Sequence, residues 1–430
     1  MVTLSSQPYK GTRDYYPEQK RVQNYIFKTW RTVVEGFGYE EYGAPILEPL
    51  EIYAAKSGNE LVNDQTYVFT DRGDRTVAIR PEMTPSISRM VAARRQELAY
   101  PARLYSIANF MRYERPQRGR EREFWQLNVD LFGVDDITAD VEVITIADSI
   151  LKAFGAGQDD YVIRVNNRKF IHFMMAQYLG LDTVAAGQMT KLFDRRGKIT
   201  EQDFEDQAAI ILGDEATAQI PKIKQVIDAK TIEELPVELQ ESASLDEIKA
   251  VFEGLKKQNV TNAIFDATLM RGLDYYTGTV FEAFDTHPDN NRSLFGGGRY
   301  DGLVGLFGAE PLSAVGMAPG NTMIENFLTV HNLLPEDRSL TEVYVVVIGA
   351  ALDGALEVAT KLRKAGIKTE VDITSRKLDK QMKTALKKLI PNILFVGESE
   401  IEKGEYTLKD LSRGSEQKLT VQQIIDTFVQ

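Results

Sequence analysis

The chain has 430 residues, 43% hydrophobic and 27% charged, with a net charge of −12, a balance typical of globular protein of about two to four domains. It holds 0 cysteines, which excludes a disulfide framework and any thiolate metal site. Its 3 histidines, His172, His287 and His331, are too scattered in sequence to suggest a zinc site or a Ser-His-Asp grouping, so any catalysis must rest on arginine, carboxylates, tyrosine and a divalent cation.

The segment from Met1 to Lys10 lacks the apolar stretch of a signal peptide, and no apolar run approaches the length of a membrane span; a cytoplasmic location is expected. Residues 17–36 carry Val22, Tyr25, Ile26, Trp30 and Val33 at helical spacing, and Gly36 and Gly38 end the pattern. The stretch 39–49 reads as a strand that Pro45 pushes to an edge or a bulge. Further strands are expected around 77–79, 102–107, 124–132 and 161–165, with a clean alternation at Trp125, Leu127, Val129 and Leu131. From about 168 to 255 the sequence turns helical, rich in Leu, Ile, Ala, Glu and Lys, and reads as an insertion. Strand character returns at 263–266 and runs to 315–317. Residues 331–339 read as a linker. Beyond them strands at 343–348, 368–372 and 393–396 alternate with helices at 352–365 and 376–389, the pattern of a compact α/β domain with a largely parallel sheet. In the second of these helices Leu378, Met382, Leu386 and Leu389 form one apolar stripe, with lysines on the other faces.

The acidic balance opposes nucleic acid as a whole, so any such partner must be met by local basic patches. One is Arg112, Arg115, Arg118, Arg120 and Arg122; another runs from Lys361 to Lys388. Each also reads as a solvated hairpin or helix face.

Three blocks carry chemistry. Arg271–Glu282 sets an arginine, the adjacent Tyr275 and Tyr276, and two acids among glycines. Gly296–Leu303 follows closely, with Arg299, Tyr300 and Asp301. Arginine offers a fixed fork of donors for phosphate or carboxylate, and tyrosine a flat wall with one polar tip. Together they describe a pocket for a small, flat, polar molecule beside an anion. Either block alone is equally a hairpin turn in a β-rich core. The third block, 112–126, reads as strand, arginine-rich loop, strand, able to set Arg112 on a phosphate while Phe124 stacks on a base.

These blocks resemble the histidyl-tRNA synthetases, a class II aminoacyl-tRNA synthetase family, and the likeness spans nearly the whole chain. Lys10–Asp14 followed by Pro17 looks like that family's opening. The strand with Pro45 and Glu48 looks like motif 1, its dimer-forming element, Arg80–Thr84 like the site for the amino group of its amino acid, and 112–126 like motif 2. Arg271–Glu282 and Gly296–Leu303 look like its two histidine signatures.

The resemblance implies an α+β fold: a mixed, mainly antiparallel sheet with flanking helices, a helical insertion and a C-terminal α/β anticodon-binding domain. It implies a catalytic domain over 1–327 with the insertion at about 168–255, a linker over 328–341, and the anticodon-binding domain over 342–430. It also implies a homodimer, and ATP, L-histidine, histidine tRNA and Mg2+ as substrates and ion, the metal ligands being unassigned. Arg112 and Arg271 would flank the ATP α-phosphate as the catalytic pair. Glu114 would accept from the adenine amino group, Phe124 would stack on the ring, and Arg120 would reach the outer phosphates. Glu82, Thr84 and Gln126 would hold the α-amino group of histidine. Asp130, Tyr275, Tyr276 and Tyr300 would line the imidazole pocket. Arg115 and Gln117 would read the acceptor end of the tRNA.

The sequence departs from the family pattern at three positions. Met323 stands where motif 3 has the arginine that grips the terminal phosphate, and Arg118 and Arg122 are candidates to replace it. Asp130 stands where glutamate is usual. Met83 replaces a small glycine between Glu82 and Thr84, which should crowd the site or reshape its wall. A ligase is the expected function. A weakened paralogue that senses histidine or tRNA, like the regulatory subunit of ATP phosphoribosyltransferase, is the alternative. A ligase for another small carboxylate is disfavoured by the intact Arg271–Glu282 block.

Overall fold

The computed structural model describes residues 4–54, 64–196, 199–270, 275–290 and 292–429. The chain forms two compact units, Met1–Leu334 and Pro335–Gln430.

The first unit is built on an eight-stranded sheet. Its strands in chain order are β1 (Glu40–Glu41), β5 (Ala102–Met111), β6 (Glu123–Phe132), β7 (Tyr161–Asn167), β8 (Ala263–Phe265), β9 (Thr279–Asp285), β10 (Ser293–Arg299) and β11 (Ala314–Met317). The remaining strands of this unit, β2 (Leu47–Pro49), β3 (Tyr67–Thr70) and β4 (Thr76–Ile79), make a separate small sheet. The large sheet runs β1-β5-β6-β11-β10-β9-β7-β8, antiparallel throughout except for the parallel pairs β1–β5 and β7–β8 at its two edges. This is the mixed, mainly antiparallel α+β sheet expected.

The strand expected over 39–49 is a correction. It divides into β1 and β2, which belong to different sheets. Pro45 has no N–H for a ladder, and the break falls around it.

One face of the large sheet is covered by the helices Pro17–Gly36, Thr138–Ala153 and Asn321–Val330. Ile26, Trp30, Ile144, Ile324 and Phe327 pack there against Leu127, Val129, Val315 and Phe281. Pro17 opens the first helix, where its missing N–H is no loss, and Gly38 in the left-handed region follows its end. Because side chains alternate along a strand, sending Leu127, Val129 and Leu131 to the helices puts Phe124, Gln126 and Asp130 on the opposite face. The alternation does not mark a wet face at this end of β6, where every residue from Leu127 to Phe132 is buried.

Helices from Arg168 to Lys257 lie between β7 and β8 and enclose their own core around Phe170, Leu192, Phe204 and Ile223.

The second unit is a five-stranded sheet, β13 (Thr369–Val371), β12 (Val343–Val347), β14 (Asn392–Val396), β15 (Tyr406–Asp410) and β16 (Ser415–Leu419) in spatial order, parallel over the first three and antiparallel beyond. The helix Leu378–Lys387 corrects the expected stripe. Leu378, Leu386 and Leu389 are exposed, and the buried face is Gln381 and Ala385. Gln381 sets that rotation: its amide nitrogen donates to the carbonyls of Val347 and Arg376 at 2.9 and 2.7 Å, and its oxygen accepts from the Val347 N–H at 2.9 Å.

Candidate active site

The open face of the large sheet carries a cleft of about 1160 Å³. Arg112, Arg120, Phe124, Gln126, Glu282 and Met323 are among its walls. β5 and β6 bring the first four there as a long hairpin, paired from Ala102↔Phe132 to Met111↔Glu123. The Arg112 N–H to Arg122 carbonyl bond at 2.8 Å extends the ladder, and the tip closes with paired backbone bonds between Gln117 and Arg120. Gly119 at that tip has φ +79°, a conformation that favours glycine.

Arg112 lies with its guanidinium carbon 5.2 Å from the Phe124 ring centre and donates to the Pro81 carbonyl at 2.9 Å. Phe124 in turn stacks on Phe110 at 5.8 Å. A flat aromatic with a fixed cation beside it suits a base joined to a phosphate. Glu114 and Arg120 pair with one another at 3.2 Å. Arg115 and Gln117 are exposed on the loop. Arg271 lies outside the described residues.

A second set of expected residues forms a buried layer beside the cleft. The Tyr275 hydroxyl donates to Glu82 at 3.0 Å, and its ring meets Tyr276 and Tyr300 at 5.1 and 5.7 Å between centres. The Tyr300 hydroxyl donates to Asp130 Oδ1. Asp130 is 3% exposed, and its Oδ2 has no hydrogen-bond partner among the described residues. Burial pushes the Asp130 carboxyl up to about 7, against the lowering effect of the hydrogen bond from Tyr300 and of the Tyr42 hydroxyl that faces it. Burial likewise raises the hydroxyls of Tyr275, Tyr276 and Tyr300, with nearby carboxylates adding to it. Thr84 opens the helix Thr84–Ala93, and Gln126 donates to the Ala318 carbonyl at 3.0 Å.

The glycine runs make room for this layer. A Cβ on Gly316 would sit 2.5 Å from Asp130 Oδ1, and one on Gly298 would sit 2.9 Å from the Tyr276 ring. Arg299, in the same block, is no ligand: buried, it pairs with Asp140 and donates to the carbonyls of Val134 and Asp136, each at 3.0 Å.

One of the departures resolves structurally, and one proposed compensation is ruled out. Met83 is 1% exposed and packs with Ala108 and Phe110, so its bulk enters a core and not the cleft. Arg122 cannot replace an arginine at 323. It is buried, donates to Tyr9 Oη at 3.0 Å and to the Glu114 carbonyl at 3.2 Å, and lies 4.0 Å from the Tyr113 ring centre. Arg118 donates to the Asp289 carbonyl at 3.3 Å.

Sequence reading missed Tyr42, whose hydroxyl faces Asp130, and Arg292, which lines the cleft from the β9–β10 turn. It also missed a spatial pair of histidines. The rings of His287 and His331 lie 5.4 Å apart, and Asp285 binds His331 Nε2 at 2.8 Å. Nothing local in the sequence announces either. Among the described residues no group of three or more His, Cys, Asp or Glu could hold a metal ion.

Comparison with known proteins gives a consistent picture. A family model described as histidyl-tRNA synthetase matches residues 11–321, and one described as an anticodon binding domain matches 342–430. The chain is similar to the histidine–tRNA ligase of Leptospira biflexa serovar Patoc, 42% identical over 413 residues that cover 95% of this chain and 94% of that one. It is similar to that of Opitutus terrae, 36% identical over 432 residues, with 99% and 98% covered. A solved histidyl-tRNA synthetase from Nostoc sp. PCC 7120 superposes with TM-score 0.83 at 25% identity, covering 99% of this chain and 100% of that one. Motif blocks, fold and relatives agree, and this chain belongs to the histidyl-tRNA synthetase family.

Proposed function

We propose that this chain is a class II histidine–tRNA ligase that activates L-histidine with ATP and transfers it to histidine tRNA. The observation that carries this reading is the adjacency, on one sheet face, of two subsites: the Arg112–Phe124 wall and the buried Asp130–Tyr300–Tyr275–Glu82 layer. The first suits a nucleotide and the second a small polar ring. A pocket built to hydrogen-bond the imidazole nitrogens rejects analogues lacking them by large factors.

In the proposed mechanism the histidine carboxylate attacks the α-phosphorus of ATP and pyrophosphate leaves. The terminal ribose hydroxyl of the tRNA then attacks the adenylate carbonyl and releases AMP. Arg112 and Arg271 offset charge at the α-phosphate, Phe124 and Glu114 seat the adenine, and Arg120 meets the outer phosphates. Glu82, Thr84 and Gln126 orient the amino group. Asp130 accepts from the imidazole, with Tyr275, Tyr276 and Tyr300 as walls. Arg115 and Gln117 meet the acceptor end. Positioning and fixed charge supply the rate, with no covalent help from the protein. Glu114 must exchange its bond to Arg120 for the adenine, so nucleotide binding reorganises that pair. Mg2+ is expected to arrive with the ATP phosphates.

On this reading 1–327 is the catalytic domain, 328–341 a linker and 342–430 the anticodon-binding domain, acting in the cytoplasm. None of the described helices is long and apolar enough to cross a membrane. A homodimer is proposed because Leu47, Val68 and Phe69 are exposed on the small sheet, with Ile46 exposed just before β2.

The test is histidine-dependent ATP–pyrophosphate exchange followed by charging of histidine tRNA, repeated with Arg271→Ala. Exchange that needs histidine and collapses in the variant supports the reading. A folded protein that binds histidine without exchange would instead be a sensor.

A further inference from the structure

Outer phosphates need a cation whose charge is not already spent on a carboxylate. The guanidinium groups around the cleft meet that requirement unequally. Arg164 pairs with Asp266 at 3.0 Å, and Arg120 with Glu114 at 3.2 Å until the adenine claims Glu114. Arg122 is buried beneath Tyr9 and Tyr113. Arg196 lines the cleft from the helical insertion and forms no ion pair among the described residues. Arg292 is set apart by where it is held. It is exposed, it lines the cleft, and among the described residues it forms no ion pair; its guanidinium donates only to the Arg118 carbonyl, at 3.1 Å.

That bond also locates it. Arg118 precedes Gly119, and Gly119 sits so close over Met323 that a Cβ there would lie within contact distance of the Met323 sulfur. Arg292 is therefore tied to the hairpin tip one residue from the spot where the sulfur of position 323 ends. The Arg118 guanidinium donates back to the Asp289 carbonyl at 3.3 Å, so the β9–β10 turn and the tip hold each other by reciprocal bonds.

The turn has a rigid base. The Asp285 carboxylate accepts from the His287 N–H at 2.8 Å, from Asn290 Nδ2 at 2.6 Å and from His331 Nε2 at 2.8 Å. Fixed at both ends, the arginine is presented at little cost in side-chain freedom.

We propose that Arg292, presented by this turn, binds the outer phosphates of ATP in place of the arginine absent at position 323. The proposal rests on the reading of the cleft as an ATP site. It makes Arg292 a binding residue of the β9–β10 turn, with Asp285 and His331 as its positioning residues.

The test uses the full chain and calorimetric titration with ATP and with AMP, which lacks the outer phosphates. Wild type is expected to bind ATP at least tenfold more tightly than AMP. Arg292→Gln should erase most of that preference and leave the AMP affinity within about twofold. Arg292→Lys should retain part of it, and Met323→Arg added to Arg292→Gln should restore it. In exchange assays Arg292→Gln should raise the KM for ATP with the KM for histidine unchanged. An undiminished ATP preference in Arg292→Gln overturns the proposal. So does loss of the preference in Arg196→Gln alone, which would move the role to the helical wall. If wild type shows no histidine-dependent exchange, the ligase reading fails, yet the ATP-to-AMP ratio still decides the role of Arg292.

Discussion

The Tyr300 hydroxyl donates to one oxygen of the Asp130 carboxylate, and the other oxygen has no partner among the described residues. A buried carboxylate with one free acceptor suits a single N–H of an imidazole. Burial holds this carboxyl up to about 7, so it takes its proton near neutrality. A group whose folded pKa is raised above the unfolded value loses stability as pH rises between the two, here from about 4 to 7. We expect Asp130→Asn to gain stability relative to wild type in urea unfolding when pH goes from 5 to 8. Histidine affinity should rise with pH in wild type more than in the variant. The comparison is needed because free histidine itself titrates near about 6.5. Parallel pH profiles in the two proteins would remove Asp130 from the pocket.

Gly316 faces Asp130 across β6 and β11, and any Cβ there meets Asp130 Oδ1 at 2.5 Å and the Val129 carbonyl at 2.8 Å. Strand backbone cannot give way as a flexible side chain can. Gly316→Ala should cost about 1–3 kcal/mol of stability as an overpacked site. It should also raise the KM for histidine at least tenfold, with a smaller change in the KM for ATP. Equal changes in both constants would mean general distortion and not displacement of Asp130.

Much of this site was legible because its parts are local. Arg112, Glu114, Phe124, Gln126 and Asp130 lie on one hairpin, and period-two alternation puts Phe124, Gln126 and Asp130 on one face. The glycine run 296–298 reads equally as a turn; it lies within β10, where its missing side chains leave room for the neighbouring strands and Tyr276. What stayed hidden depends on tertiary partners. Arg299 and Arg292 stand seven residues apart in one stretch; only the fold shows that the first meets the buried Asp140 while the second faces the cleft. Met83 read as an obstruction because the sequence does not say which side of the Glu82 backbone is core. The apolar stripe of the helix Leu378–Lys387 misled for a similar reason. One glutamine with three backbone partners outweighs the burial of several half-exposed leucines.

The Arg299–Asp140 pair is a structural lock between the second glycine block and the helix Thr138–Ala153. Both side chains are buried, and Arg299 also satisfies the carbonyls of Val134 and Asp136. Removing one partner leaves the other charge buried and alone, which costs about 3–5 kcal/mol. Arg299→Ala should therefore lower the unfolding midpoint sharply. Replacing both, as Arg299→Met with Asp140→Leu, should recover part of the loss. A double variant no more stable than Arg299→Ala would show that the carbonyl contacts, and not the buried charge, dominate.

Gln381 offers a way to separate the two chemical steps. Its amide serves both backbone groups of Val347, at the end of β12, and the carbonyl of Arg376. Leucine has similar volume but leaves these groups without that partner, at about 1–3 kcal/mol for a buried group. Gln381→Leu should therefore destabilise the unit Pro335–Gln430 and let the helix roll its lysines, Lys380, Lys383 and Lys387, to a new position. The proposed ATP and histidine subsites lie wholly in the other unit, so histidine-dependent pyrophosphate exchange should persist at wild-type rate. Charging of histidine tRNA should weaken through a higher KM for tRNA. If exchange falls in step with charging, activation depends on the C-terminal unit and the division of labour between the two units is wrong.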